Sequence, residues 1–337
     1  ERAVSASGVA CNTEEGHTES DCGCGPDLQW CFNNLLRSDF TDSISEELDQ
    51  RDRKMLREEL SYDQFLVHPF AQVNGPMVHL FKNIYIFDED YASYIDIESL
   101  PDIPYGEKDT WETIELEDTA QGVFSSGAWL LRHQTNRGRA NRFYGAFLCK
   151  EFIPVGGGID GLSGSDLPSP DLSRREGCVD CHARLEPMAS FWGRWGEASQ
   201  HYIDPLSLPA YSEDCATCVQ LGSCSSTCRD QYLTEATHPD EVPYIGWLKS
   251  YAFLSEAERD NPDLGPSEWI YQALSSGDLA QCAATNTSQW LLGWDEDDVR
   301  TGDGVIEDYA SQFAQSGYSF RSMIRAVIRS QAYWRQP

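Results

Sequence analysis

Along most of the chain, apolar residues recur at helical spacing. Thr41, Asp42 and Ser43 are good N-cap types, and Ile44, Leu48, Met55, Leu56 and Leu60 follow at mostly helical intervals. Asn74-Gly75-Pro76 predicts a second helix start, with Pro76 in the first position, where a missing N–H costs nothing. Met77, Leu80 and Phe81 then form an apolar face with His79 beside it. Residues 84–94 are dense in Tyr and Phe and read as core, whereas 95–120 are acidic, contain proline and read as an exposed connection. An apolar run, Val123 to Leu131, leads to Arg132-His133, and Phe143, Phe147 and Leu148 make a helical face that ends near Cys149. Residues 153–172, with three consecutive glycines at 156–158 and with Pro168 and Pro170, read as a flexible loop. Gly265-Pro266-Ser267-Glu268 opens a further helix. The last helix is amphipathic, with Phe320, Ile324, Val327 and Ile328 on one face and Arg321, Arg325 and Arg329 in a stripe on another. The pattern predicts a mostly α-helical protein with long loops.

Composition narrows the setting. The chain has 337 residues, is 40% hydrophobic and carries a net charge of −30, enough apolar material for a substantial core under a strongly acidic surface. Such a field repels nucleic acid and anionic membrane surfaces and suits a salty medium or a basic partner. No apolar run approaches the roughly 18 residues of a membrane span. No signal peptide is recognisable, so Glu1 reads as the start of a processed chain or of a fragment.

The chain has 12 cysteines, many for a cytosolic protein. Two of them lie in Gly177-Cys178-Val179-Asp180-Cys181-His182, which has the spacing of a c-type haem attachment site. Two thiols one helical turn apart can add to the two vinyl groups of one haem, and the adjacent imidazole then ligates the iron. A redox dithiol is the other chemistry such a pair supports. The remaining cysteines are even in number and predict disulfides in an oxidising compartment, periplasmic or extracellular. Four of these, Cys215, Cys218, Cys224 and Cys228, would also suit zinc or an iron–sulfur cluster, though a disulfide knot fits an oxidising compartment better. A second haem is not expected there, because Val219 follows Cys218 where histidine is needed.

The stretch from Gly177 to Pro187 resembles a planctomycete-type family of secreted cytochrome-like proteins, built from consecutive modules around a single haem motif. In order, residues 122–195 are similar to its haem module: a Gly-rich start, a polar and Arg-containing stretch, an apolar helix ending in Leu-Cys, a Pro-rich loop and Cys-x-x-Cys-His. The segments from Leu279 to Gly293 and from Phe313 to Tyr333 are similar to its last two helices, and 45–95 match more loosely. The chain departs from the family at Leu185, where methionine is frequent. The resemblance implies an architecture and one haem c, and little mechanism. The chain then divides into a Cys-rich arm (1–35), an N-terminal helical module (36–120), a haem c module (121–200), a Cys-rich insert (201–240) and a C-terminal helical module (241–337).

Other candidates follow from this reading. Arg132, Arg137, Arg139 and Arg142 lie within 132–142 with no acid among them, unusual at −30, and are expected near the haem propionates. Trp192 is expected against the porphyrin edge, with an ordinary core position as the alternative. Met188 lies only about 9 Å of helical rise beyond His182 on the same side of the haem, so it is rejected as the distal ligand. His133 is the leading distal candidate; an open position, Met77 or His79 are the others. The acidic stretch 295–308 fits no EF-hand, since Val299 stands where an oxygen ligand belongs; a fortuitous Ca²⁺ site there competes with a plain solvated loop. The expected function is one-electron transfer to an unidentified, basic redox partner, or haem carriage within a larger assembly. A haem enzyme with His133 and Arg132 or Arg137 as distal groups, and a surface-binding protein in which haem is a packing element, are the rivals. No Ser-His-Asp pattern, Walker loop or zinc-hydrolase motif is present.

Overall fold

The computed structural model describes residues 4–13, 15, 16, 19, 22–24, 30, 37–83, 91–92, 94–152, 169–295, 299 and 303–334. Its elements run α1 (Arg37–Glu58), α2 (Tyr62–Val67), β1 (Phe70–Val73), α3 (Gly75–Asn83), β2 (Tyr91–Ala92), β3 (Glu112–Glu115), α4 (Gly127–Arg132), α5 (Asn136–Leu148), α6 (Val179–Ala189), β4 (Tyr202–Ile203), α7 (Glu213–Thr217), α8 (Ser226–Gln231), α9 (Asn261–Leu264), α10 (Ser267–Ser276), α11 (Asp278–Leu292), α12 (Asp303–Gln315), α13 (Phe320–Arg329) and α14 (Gln331–Trp334). The fold is mostly α, as the apolar spacing predicts. No helix among the described residues is long and apolar enough to cross a membrane.

Helix α1 starts ahead of the Thr41–Ser43 signal, because the preceding turn is anchored. Phe40 is buried against Tyr105, and Asp39 accepts from the Tyr105 hydroxyl and pairs with Lys108. Farther along, Arg51 is fully buried and closes α1 onto the α2–β1 link. Its guanidinium donates to the carbonyls of Phe65 (2.8 Å), His68 (2.6 Å) and Phe70, and sits 3.7 Å over the Phe70 ring. Glu47, one turn before it, is buried too. Burial pushes its carboxyl from an ordinary 4.5 up to about 7, against the pull of Arg51 and of the Gln72 N–H. Between these values the folded chain keeps a proton that the unfolded chain has released, so stability falls as pH rises through that window. Glu47→Gln is expected to flatten this fall, read from urea midpoints at about pH 5 and about pH 7.5.

The 95–120 stretch differs from its expected exposure. Ile95, Leu100, Ile103, Tyr105 and Ile114 are buried, and β3 pairs antiparallel with β1, from Phe70↔Glu115 to Val73↔Glu112. A second short antiparallel pair joins β2 to β4. The acids around these apolar residues face outward, as one edge of a half-buried strand allows.

Residues 36–120 and 121–200 share one core, in which Tyr94 meets Trp195 edge-on at 5.2 Å. Gly122 lets residues 122–125 close on α2: its φ is +57°, and a Cβ there would lie 2.2 Å from the Leu66 carbonyl oxygen. A second core lies between α11, α12 and α13, centred on Phe313, Met323 and Val327. On α13 the most deeply buried positions are therefore Met323 and Val327, with Phe320 and Ile324 at the margin, while Arg321 pairs with Glu59. The Cys-rich insert has its own small core of Cys215, Cys218 and Cys228 with Tyr232, and this core reaches past residue 240 to Leu254.

Candidate functional site

The fold sorts the cysteines into two classes. Cys11–Cys22, Cys149–Cys282, Cys215–Cys228 and Cys218–Cys224 are bridged, and Cys24 is also disulfide-bonded. The insert cysteines are thus a disulfide knot and not a metal site. Cys31 lies outside the described residues. Among the described cysteines only Cys178 and Cys181 remain thiols, both half-buried.

These two thiols sit at the start of α6. Gly177, at φ +78°, turns the chain, and the Arg175 carbonyl accepts from the N–H groups of Cys178 and Val179. Cys178 is the N-cap, and its carbonyl accepts from the His182 N–H at 3.0 Å. Cys178 and Cys181 therefore lie one turn apart on one side of the helix, with His182 beside them. Farther along, Leu185 and Met188 are buried, so the helix continues with Met188 in the core.

The His182 ring is oriented. Its Nδ1 lies 2.5 Å from Glu186 Oε1, one turn along α6, and Arg137 on α5 donates through Nε to the same oxygen at 2.6 Å. Glu186 carries no role in the sequence reading; its only signal is an acid four residues after a helical histidine, where side chains meet. A histidine that donates through Nδ1 presents the lone pair of Nε2, the tautomer a metal takes.

The arginine cluster divides. Arg139 is fully buried and donates to the carbonyls of His133 (2.9 Å), Trp195 (3.2 Å), Gly196 (2.9 Å), Ser199 (3.3 Å) and Leu130 (3.4 Å), and to Asn136 Oδ1 (2.8 Å). Burial lowers its guanidinium to about 10, still cationic at neutral pH. Its donors are committed to these partners, so it clamps the α4–α5 turn to residues 195–199. Arg137 is engaged by Glu186, while Arg132 and Arg142 are exposed. His133, half-buried, is the C-cap of α4 and packs edge-on to Trp129 at 4.8 Å. Burial and then the charges of Arg142, Arg132 and Arg139 hold its imidazole below its usual pKa, toward the neutral form. Trp192 is fully buried among Phe124, Trp129 and Phe143 and donates to the Phe124 carbonyl at 3.1 Å. It holds a core position, the alternative weighed for it in the sequence.

Beside α6 lies a cavity of about 620 Å³, between this helix and the insert, with Arg137, Ala183, Glu186, Ser190, Ile203 and Leu254 on its walls. No group of three or more His, Cys, Asp or Glu among the described residues is placed to hold a metal ion. A porphyrin supplies the equatorial ligands of its iron, so a haem asks for no such group. Of the acidic stretch 295–308 considered for Ca²⁺, residues 296–298 and 300–302 lie outside the described residues, as does the glycine loop 156–158. Compared with models of known families, with curated proteins and with solved structures, the chain gives no match.

Proposed function

We propose that the chain is a mono-haem c protein of an oxidising compartment, periplasmic or extracellular, that carries single electrons. The observation behind this reading is the sorting of the cysteines: the bridged ones hold the fold, and the two left as thiols are one turn apart and followed by an oriented histidine. The donor set fits the group. Cys178 and Cys181 would form the thioethers, His182 would be the proximal ligand, and a haem held in this way supplies one-electron chemistry at iron. Covalent attachment suits a protein outside the cytoplasm, since the group is not lost by dissociation. The resemblance of residues 122–195 to secreted cytochrome-like proteins points the same way.

His133 is the candidate for the distal position, on a half-buried site covered by Trp129. The net charge of −30 would steer the protein toward a basic redox partner. An absorption spectrum of the purified protein tests the reading. A low-spin haem c spectrum that turns high-spin in His133→Ala is the expected result. A high-spin wild-type spectrum that responds to cyanide or peroxide would favour a haem enzyme, and a protein without a haem band would contradict both.

A further inference from the structure

We propose that Glu186 is a positioning residue that raises the donor strength of His182, and that Arg137 moderates it; this rests on the haem reading above. The three side chains share one oxygen. Glu186 Oε1 lies 2.5 Å from His182 Nδ1 and 2.6 Å from Arg137 Nε. Two helices build the arrangement: His182 and Glu186 are one turn apart on α6, and Arg137 comes from the first turn of α5. The His182 and Glu186 side chains are 21% and 23% exposed, so the contact is largely shielded, while Arg137 closes it from the wetter side at 50%.

The physical consequence has a sign. A carboxylate that accepts the Nδ1–H draws the proton toward itself and leaves more electron density on Nε2, which favours the more oxidised state of a bound iron. Arg137 donates to the same oxygen and so weakens it as an acceptor for His182. Removing the carboxylate therefore raises the midpoint potential, and removing the guanidinium lowers it. As a partly exposed helix contact the group contributes little to stability, and a purely structural role would leave the potential where it is.

Charge alone would give shifts of the same two signs, so a third variant separates the causes. Glu186→Asp keeps the charge and withdraws the oxygen by one methylene. The test is a redox titration of the purified holoprotein as wild type, E186Q, E186D and R137Q, with thermal melts to show that each is folded. The expected result is a raised potential in both E186Q and E186D and a lowered one in R137Q. A wild-type potential in E186D, an unmoved E186Q, or shifts of one sign in E186Q and R137Q would overturn the role of the hydrogen bond while leaving the haem reading intact. Wild-type protein without a haem band would instead overturn the haem reading, and the role of Glu186 with it.

Discussion

Replacing Cys149 and Cys282 together by alanine is expected to lower the unfolding free energy by about 4–5 kcal/mol. The bridge spans 133 residues, and closing so long a loop removes a large share of the unfolded chain's freedom. It joins two elements that sequence alone keeps apart. Cys149 follows the last turn of α5 in a left-handed conformation (φ +52°), and Cys282 lies buried on α11. The loop between them contains α6 and the whole Cys-rich insert, so its loss loosens the C-terminal helices from the helix on which α6 packs. Lys150 with Asp278, and Asn286 with the Ala146 carbonyl, remain as exposed polar links across the same seam, and these are weak. Urea unfolding of the double variant under non-reducing conditions measures the effect. A loss under about 1 kcal/mol would mean that packing alone holds the seam.

Arg139→Leu is expected to cost about 3–5 kcal/mol. Leucine fills much of the space but donates nothing. The buried carbonyls of Leu130 and Trp195 and the partly buried ones of His133, Gly196 and Ser199 then lose a charged donor. Each stranded acceptor carries a desolvation penalty, and they lie on both sides of the seam between the α4–α5 turn and the loop after α6. Arg139→Lys keeps the charge but not the planar fork, and should recover only part of the loss. Thermal and urea unfolding of both variants give the comparison. Equal stability of the Arg139→Leu variant and wild type would show that the clamp is incidental.

Both of these stabilising features lie where sequence reading stops. Helices were legible wherever a stripe of apolar residues repeats, as at 320–328. The strand at 112–115 was not, since its acids and the neighbouring prolines outweigh Ile103, Tyr105 and Ile114, whose burial depends on β1, some forty residues earlier (Ala71 opposite Ile114). The clamping roles of Arg51 and Arg139 are not legible in the sequence, because their partners are backbone carbonyls, which carry no signature in the side-chain sequence. Disulfide pairing is equally silent, because an even count of cysteines allows full pairing without naming the partners. The Cys178–His182 motif was legible because all of its chemistry lies within five consecutive residues. Glu186 extends that motif by one turn, and helical geometry alone makes it visible.

The attachment itself is the most direct point of test. Mass spectrometry of the peptide that spans residues 178–182, released from protein secreted by a host able to attach haem c, should show the mass of the peptide plus one haem. The same peptide from Cys178→Ala/Cys181→Ala protein should lack it. An unmodified wild-type peptide, with Cys178 and Cys181 recovered as free thiols or as a disulfide, would contradict the reading of this chain as a haem c protein.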